Sequence, residues 1–79
     1  MIKVLFFGPV AERIGSSTLQ IEYRPGLRLQ DLRDDLSKQF PQAFDIVCFV
    51  AVNGAHVRDP AQELADHSEV AFMAKFSGG

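Results

Sequence analysis

The sequence predicts an α+β domain in which a mixed sheet of about five strands packs on one main helix. Three observations support this fold class. Short apolar runs typical of strands occur at both ends and in the middle of the chain, one segment has the period of an amphipathic helix, and an Asn-Gly pair marks a hairpin turn. A chain of 79 residues has room for one such domain with a small core.

The first part of the chain predicts two strands separated by a short helix. Residues 1–7 are apolar on both alternating sides, which is typical of a central strand that is covered on each face. Pro9 and Gly15 suit the first turn and the C-terminal cap of a helix over residues 10–14. Residues 18–23 alternate between apolar and polar side chains, as in a strand half exposed to water.

The main helix is expected from about Leu29 to Phe40. Its apolar side chains recur with a period of about 3.6 residues, and polar side chains cover the other faces. Asp31 suits the first turn, whereas Arg28 is an unusual N-cap. Pro41 ends the helix. The apolar stripe consists of Leu29, Leu32, Leu36 and Phe40.

Three further strands are predicted in the second half. Residues 46–52 form a nearly continuous apolar strand, and Asn53-Gly54 is a turn preferred in two-residue hairpins. The return strand covers residues 55–57, a helical turn is expected over residues 61–64, and the last strand covers residues 69–73. This order of elements is that of the β-grasp (ubiquitin-like) fold, in which the first and last strands lie parallel at the sheet centre.

Charge and cysteine content exclude several classes of function. The net charge is −2 without a basic cluster, so neither nucleic acid nor a membrane is expected as a partner. The apolar N-terminal segment is too short for a membrane span and lacks the cleavage site of a signal peptide. The single cysteine, Cys48, cannot form an intramolecular disulfide, which predicts a cytoplasmic protein.

No group of residues suggests catalysis, a metal site or a permanently bound cofactor. His56 and His67 lie near predicted turns without a spaced nucleophile or acid, so both are expected to be solvated. Cys48 is expected on the same side of its strand as Val50 and Val52, because alternate residues share a side. A buried, unreactive thiol is therefore expected. The chain is expected to be non-catalytic by itself.

The sheet face opposite the main helix is predicted to remain apolar and uncovered. Leu5, Phe7, Phe49 and Met73 have the parity of this face, and little of the chain is left to cover it. Such a patch is typical of a partner-docking surface. The alternative is that loop residues such as Phe44 fold over it.

Gly78 and Gly79 are the last residues of the sequence. Residues 1–75 are expected to form the β-grasp domain, and residues 76–79 a flexible diglycine tail. A glycine tail with a free carboxylate can enter a narrow active site of another protein, because neither residue has a Cβ. The alternative is an ordinary frayed terminus.

Three stretches resemble the small subunit of molybdopterin synthase, the MoaD-like branch of the sulfur carriers, to which ThiS-like thiazole carriers are related. The resemblance covers essentially the whole chain in length and element order. The diglycine is shared by all branches and by ubiquitin-like modifiers. The three stretches are Met1–Gly8, Ala51-Val52-Asn53, and Glu69-Val70-Ala71-Phe72 followed at the terminus by Gly78-Gly79.

The resemblance implies a sulfur donor. An E1-like adenylyltransferase would adenylate the carboxylate of Gly79 with ATP and magnesium, and a sulfurtransferase or cysteine desulfurase would supply sulfur to form a thiocarboxylate. The tail, in which Gly78 precedes Gly79 and has no side chain, would enter the active site of the large synthase subunit in a heterotetramer. There it would pass sulfur to cyclic pyranopterin monophosphate, which forms the molybdopterin dithiolene. The residues expected to contact partners are Leu5, Phe7, Phe49, Met73, Lys75 and Phe76.

The chain departs from the family pattern near the tail and at His56. Ala74-Lys75 stand where many members have prolines, Phe76 is bulkier than the usual aliphatic residue, and His56 stands at a usually apolar position. These differences affect the specificity for partners and leave the sulfur chemistry intact. Two other functions remain open: a sulfur carrier for another pathway, such as thiazole or a thiolated amino acid, and a ubiquitin-like binding or modifier domain.

Overall fold

The first and last strands lie side by side at the centre of a mixed sheet. The computed structural model describes residues 1–75, and the predicted tail over residues 76–79 lies outside the described residues. The elements of the described part are, in chain order, β1 (Ile2–Phe6), α1 (Pro9–Ile14), β2 (Thr18–Ile21), α2 (Leu29–Gln39), α3 (Pro41–Phe44), β3 (Val47–Val52), β4 (Ala55–His56) and β5 (Glu69–Ala74).

The sheet has the strand order β2-β1-β5-β3-β4. Strands β1 and β5 are parallel, and the other neighbouring pairs are antiparallel. Parallel strands need a long connection, which α2 and the elements after it provide. The predicted β-grasp fold is therefore confirmed. No helix in residues 1–75 is long and apolar enough to cross a membrane.

One hydrophobic core joins the helices to a single side of the sheet. Val10 of α1, Leu36 of α2 and Phe44 of α3 all belong to the same cluster of buried side chains, together with the inward residues of the central strands. Phe72 of β5 is fully buried, and its ring centroid lies 4.9 Å from that of Phe44 and 6.2 Å from that of Phe6. This aromatic group lies in the core between sheet and helices.

We expect Phe72→Ala to lower the free energy of unfolding by about 3–5 kcal/mol, because it leaves a cavity beside Phe6 and Phe44. A thermal melt followed by circular dichroism measures the loss, at about 4–8 °C per kcal/mol for a domain of this size. Met73→Ala is the matched control, since its half-buried side chain is not part of the core cluster. Equal melting temperatures for the two variants would contradict the core assignment.

The start of α2 is fixed by the loop that precedes β5. The first backbone N–H groups of a helix have no partner within the helix. Here the N–H of Leu29 donates to the carbonyl of Gln62 at 2.9 Å, and the N–H of Gln30 donates to the carbonyl of Pro60 at 2.9 Å. The loop thus replaces the cap that the Arg28 side chain does not supply.

The helical turn predicted over residues 61–64 is wrong. The structure has only a turn at Pro60-Ala61, after which the N–H of Leu64 donates to the carbonyl of Leu27 at 2.8 Å. Leu64 is buried, so this segment runs alongside the start of α2 because its backbone and its apolar side chain both find partners there.

The predicted Asn53-Gly54 hairpin turn is confirmed. Both residues have positive φ, 51° and 84°, as the twist of a two-residue hairpin requires. The Asn53 side chain also links the hairpin to β5, because its Oδ1 accepts a 2.9 Å hydrogen bond from the backbone N–H of Glu69.

The prediction that Cys48 is buried is wrong. The pairing of β3 with β5 shifts register between Val47 and Phe49, so that alternation is interrupted at this point. As a result, Cys48 and Phe49 are both exposed, while Val47 and Val50 are both buried.

We expect the Cys48 thiol to react with N-ethylmaleimide in the folded protein at a rate within about 10-fold of that in the denatured chain, since exposure gives the reagent access. Intact mass recorded over time in buffer and in denaturant measures the ratio. Protection by several orders of magnitude in buffer would place the thiol in the core after all.

Candidate partner-binding face

The face of the sheet turned away from the helices carries an exposed apolar patch. Along β1, Ile2, Val4 and Phe6 are buried in the core. Because successive side chains of a strand point to opposite sides, Leu5 and Phe7 are directed to the other face. Leu5 is half-buried, and Phe7 is 46% exposed.

The neighbouring strands add two more apolar side chains to the same face. Phe49 of β3 lies opposite Met73 of β5, and the parallel register of Phe6 with Phe72 places Phe7 beside Met73. Phe49 is 39% exposed and Met73 is half-buried. The structure thus brings together four of the predicted site residues, here called the open face: Leu5, Phe7, Phe49 and Met73.

Small side chains keep the open face shallow. Ala71 lies between Leu5 and Ala51 in the register, so the centre of the face carries only methyl groups. Lys3 and Glu69 pair at the opposite end of the strands and give that end a polar border. The apolar area is therefore concentrated at the C-terminal end of β1 and β5.

The same end of β5 leads to the diglycine segment. Strand β5 ends at Ala74, and Lys75 directly after it is exposed. The remaining predicted site residues, Phe76, Gly78 and Gly79, lie outside the described residues. The chain therefore leaves the sheet next to Met73, at the apolar end of the open face.

The alternative in which Phe44 covers the open face is wrong. Phe44 is 6% exposed and belongs to the core cluster on the helix side, where its ring contacts Phe72. Helix α3, which begins at Pro41, carries it there. Within residues 1–75, the core cluster and the open face therefore have no side chain in common.

The metal-ligating side chains of the described part are not clustered. In residues 1–75, no three His, Cys, Asp or Glu side chains are grouped so that they could hold a metal ion. His56 and His67 are both exposed. The amine of Met1 donates a 2.7 Å hydrogen bond to Asp66 and holds the pKa of that carboxyl below its usual value, an effect that His67 reinforces. This ion pair lies at the start of β1, the end remote from Phe7.

Solved structures of several proteins have the same fold over almost the whole chain. SAMP1 from Haloferax volcanii aligns with a TM-score of 0.82 at 22% identity, covering 99% of this chain and 98% of that chain. A putative molybdopterin converting factor subunit 1 from Pyrococcus furiosus aligns with a TM-score of 0.82 at 25% identity, covering 95% and 97%. A chain in the complex of subunits 1 and 2 of the molybdopterin-converting factor from Helicobacter pylori aligns with a TM-score of 0.74 at 23% identity, covering 99% and 97%.

Sequence comparison identifies the family. The comparison with curated proteins gave no match. In contrast, the model of the ThiS family matches residues 4–79, a range that includes every strand residue of the open face and extends through both terminal glycines. The match spans nearly the whole chain, and the chain therefore belongs to the ThiS family.

Proposed function

We propose that this chain is the sulfur-carrying small subunit of a molybdopterin synthase. The observation that carries the proposal is the position of the exposed open face at the end of β5, where the chain continues towards Gly78-Gly79. A sulfur carrier needs both parts: a surface that docks on a partner and a slim terminus that enters its active site. Two structural neighbours support this pathway by their names: one is a putative molybdopterin converting factor subunit 1, and the other is a chain in a complex of subunits 1 and 2 of such a factor.

The chemistry of the proposal resides in the carboxylate of Gly79. A carboxylate is ionised at neutral pH and resists attack by nucleophiles, so it needs activation. An E1-like adenylyltransferase supplies this activation with ATP and Mg²⁺: a carboxylate oxygen attacks the α-phosphorus, pyrophosphate leaves, and an acyl-adenylate forms. The outer sulfur of a cysteine persulfide on the sulfurtransferase or cysteine desulfurase then attacks the acyl carbon, AMP leaves, and an acyl disulfide forms. A second thiol attacks the cysteine sulfur of this disulfide, is oxidised to a cysteine disulfide, and releases the terminus as a thiocarboxylate.

Docking and delivery are separate tasks in this mechanism. In this proposal the open face binds the large synthase subunit. The solved complex of subunits 1 and 2 from Helicobacter pylori supports the existence of such a partner. The six residues beyond Met73, when fully extended, span at most about 20 Å, which is enough to cross a funnel leading to a buried active site. Gly78 and Gly79 pass a narrow channel because they lack side chains.

The product requires two such deliveries. Each thiocarboxylate transfers one sulfur to cyclic pyranopterin monophosphate and returns as a carboxylate, and two transfers complete the dithiolene. A heterotetramer of two small and two large subunits fits this stoichiometry, with an open face buried against each large subunit. In this assembly we expect contacts with the large subunit from Lys75 and Phe76, which precede the diglycine in the sequence.

Reconstitution tests the proposal. Untagged protein ending at Gly79 is incubated with ATP, Mg²⁺, the activating enzyme and a sulfur source, and intact mass reports the exchange of oxygen for sulfur. The product is then mixed with the large subunit and cyclic pyranopterin monophosphate, and we expect molybdopterin to form. A thiocarboxylate that forms but transfers sulfur only to a thiazole or amino acid precursor would assign the chain to another sulfur-carrier pathway.

The similarity to SAMP1 favours a second candidate, a ubiquitin-like modifier. In that case the activated carboxyl of Gly79 forms an isopeptide bond with a lysine amine of another protein. Mass spectrometry of the protein isolated from its own cells separates the two functions. A branched lysine peptide bearing the C-terminal Gly-Gly identifies a modifier, whereas a free thiocarboxylate identifies a sulfur carrier.

A further inference from the structure

A positively charged cleft opens at the sheet edge next to the open face. Its volume is about 400 Å³. We call it the basic cleft and define it by five of its side chains: Arg33, Cys48, Phe49, His56 and Arg58. The register shift in β3 contributes to it, because that shift turns Cys48 and Phe49 outward together.

The charge of the basic cleft is not compensated by the described part of the chain. No carboxylate of residues 1–75 lines it. In residues 1–75, neither Arg33 nor Arg58 forms a salt bridge. Arg33 is half-buried, and its Nη2 donates to the carbonyl of Val47 at 3.4 Å, which holds the guanidinium at the cleft and leaves further N–H donors for a ligand. This local charge stands out in a chain whose net charge is −2.

The basic cleft and the open face share a wall. Phe49 belongs to both, and the ring of His56 lies 5.7 Å from the ring of Phe49. A protein that covers Phe49 therefore also covers part of the cleft that Arg33 and Arg58 line. A free anion such as phosphate makes no apolar contact with the aromatic wall. A peptide with neighbouring acidic and apolar side chains can pair its carboxylates with the arginines and pack its apolar side chain on Phe49.

We propose that the basic cleft binds an acidic segment of the partner protein that covers the open face, with its carboxylates on Arg33 and Arg58 and an apolar side chain on Phe49. This inference deepens the proposed function, on which it rests for the existence of a docking partner, by stating the chemistry of that partner. Charged groups at the rim of an interface mainly set specificity and the rate of association. The cleft thus selects among partners that offer a similar apolar surface.

Short peptides test the cleft independently of any enzyme. We use a blocked peptide of sequence Glu-Glu-Leu-Phe and its neutral counterpart Gln-Gln-Leu-Phe. The readouts are the rate of Cys48 alkylation by N-ethylmaleimide, since Cys48 lines the cleft, and amide shifts of ¹⁵N-labelled protein. The acidic peptide is expected to slow alkylation and to shift the signals of Phe49 and Arg58 at a concentration about 10-fold below that needed by the neutral peptide.

Two charge reversals locate the effect. Arg58→Glu is expected to weaken binding of the acidic peptide by about 10-fold, through loss of an ion pair and added repulsion. Arg24→Glu carries the same change of charge three residues after the end of β2, the strand at the opposite edge of the sheet, and is expected to leave affinity unchanged. Arg58→Gln is the milder second variant, and melting curves verify that each variant is folded.

Three results would overturn the inference. The first is that the two peptides bind with equal affinity or that neither binds, and the second is that Arg58→Glu and Arg24→Glu have equal effects. The third is that inorganic phosphate protects Cys48 from alkylation as strongly as the acidic peptide does. The last would indicate a small-anion site. Thiocarboxylate formation is measured on the same samples. If it succeeds while peptide binding fails, the cleft assignment alone is lost; if it fails while peptide binding succeeds, the sulfur-carrier function alone is lost.

Discussion

Replacing Phe7 by aspartate is expected to weaken binding of the large synthase subunit by about 30-fold or more, while the melting temperature changes by only a few degrees. Phe7 is 46% exposed on the open face, so folding leaves nearly half of its surface in water, and docking removes that part. A central aromatic anchor contributes on the order of 2 kcal/mol or more at an interface, and a buried unpaired carboxylate adds a further penalty. Isothermal titration of the large subunit measures the affinity.

The matched control places the same charge on the other side of the domain. Gln39→Asp lies at the exposed end of α2, on the helix side of the sheet, and should leave affinity unchanged. Phe49→Asp, on the open face, should behave like Phe7→Asp. If Phe7→Asp melts as early as Phe72→Ala and binds normally per folded molecule, then Phe7 is a core residue and the faces of the sheet are reversed.

Sequence alone predicts those elements in which the spacing of apolar side chains matches the side chains that are buried. The stripe Leu29, Leu32 and Leu36 is buried as the helical period requires, and α2 ends one residue before the expected position. The parallel pairing of β1 with β5 follows from the order of elements, which is that of the β-grasp fold. The expectation that β1 is covered on each face is wrong, because Lys3 is exposed and Leu5 only half-buried on the side that forms the open face. The open face is a consequence of the same alternation.

The errors arise where tertiary contacts override local pattern. Alternation along residues 46–52 predicts a buried Cys48, but the register shift against β5 turns it outward, and no feature of the sequence marks such a shift. Helix α3 was missed because Pro41 ends one helix and also begins the next, which carries Phe44 into the core. The segment near Leu64 is hydrogen-bonded to the loop before α2. Because this loop is distant in sequence, the local pattern does not predict the contact.

The basic cleft is also beyond prediction from sequence. Arg33 belongs to α2, Cys48 to β3, and Arg58 follows β4, so only the fold brings them together. No motif links these positions, and the chain shows no cluster of basic residues. In contrast, the diglycine is visible in the sequence because its chemistry depends on the backbone and not on distant contacts.

Adding one residue after Gly79 is expected to abolish thiocarboxylate formation and leave the fold unchanged. The reacting atom is the carboxyl carbon of Gly79, and a further residue converts that group into an amide, which cannot attack ATP as a carboxylate does. The new carboxylate also lies one residue too far along a narrow channel, and a displacement of about 1 Å can already lower a rate by about 100-fold. Removal of Gly79 should fail for the converse reason, because the carboxylate of Gly78 stops short of the activating site.

Intact mass after incubation with ATP, the activating enzyme and a sulfur source measures the product. The melting temperature should be the same for all three chain lengths, because residues 1–75 contain the whole of the described core and the change lies beyond them. A protease that trims the added residue would restore the reaction, so the mass of the starting material is recorded at each time point. Only a free carboxyl at Gly79 can react in the proposed mechanism. Normal sulfur incorporation into an extended chain that has not been trimmed would therefore exclude the sulfur-carrier function. Incorporation that begins only when the added residue is trimmed would support it.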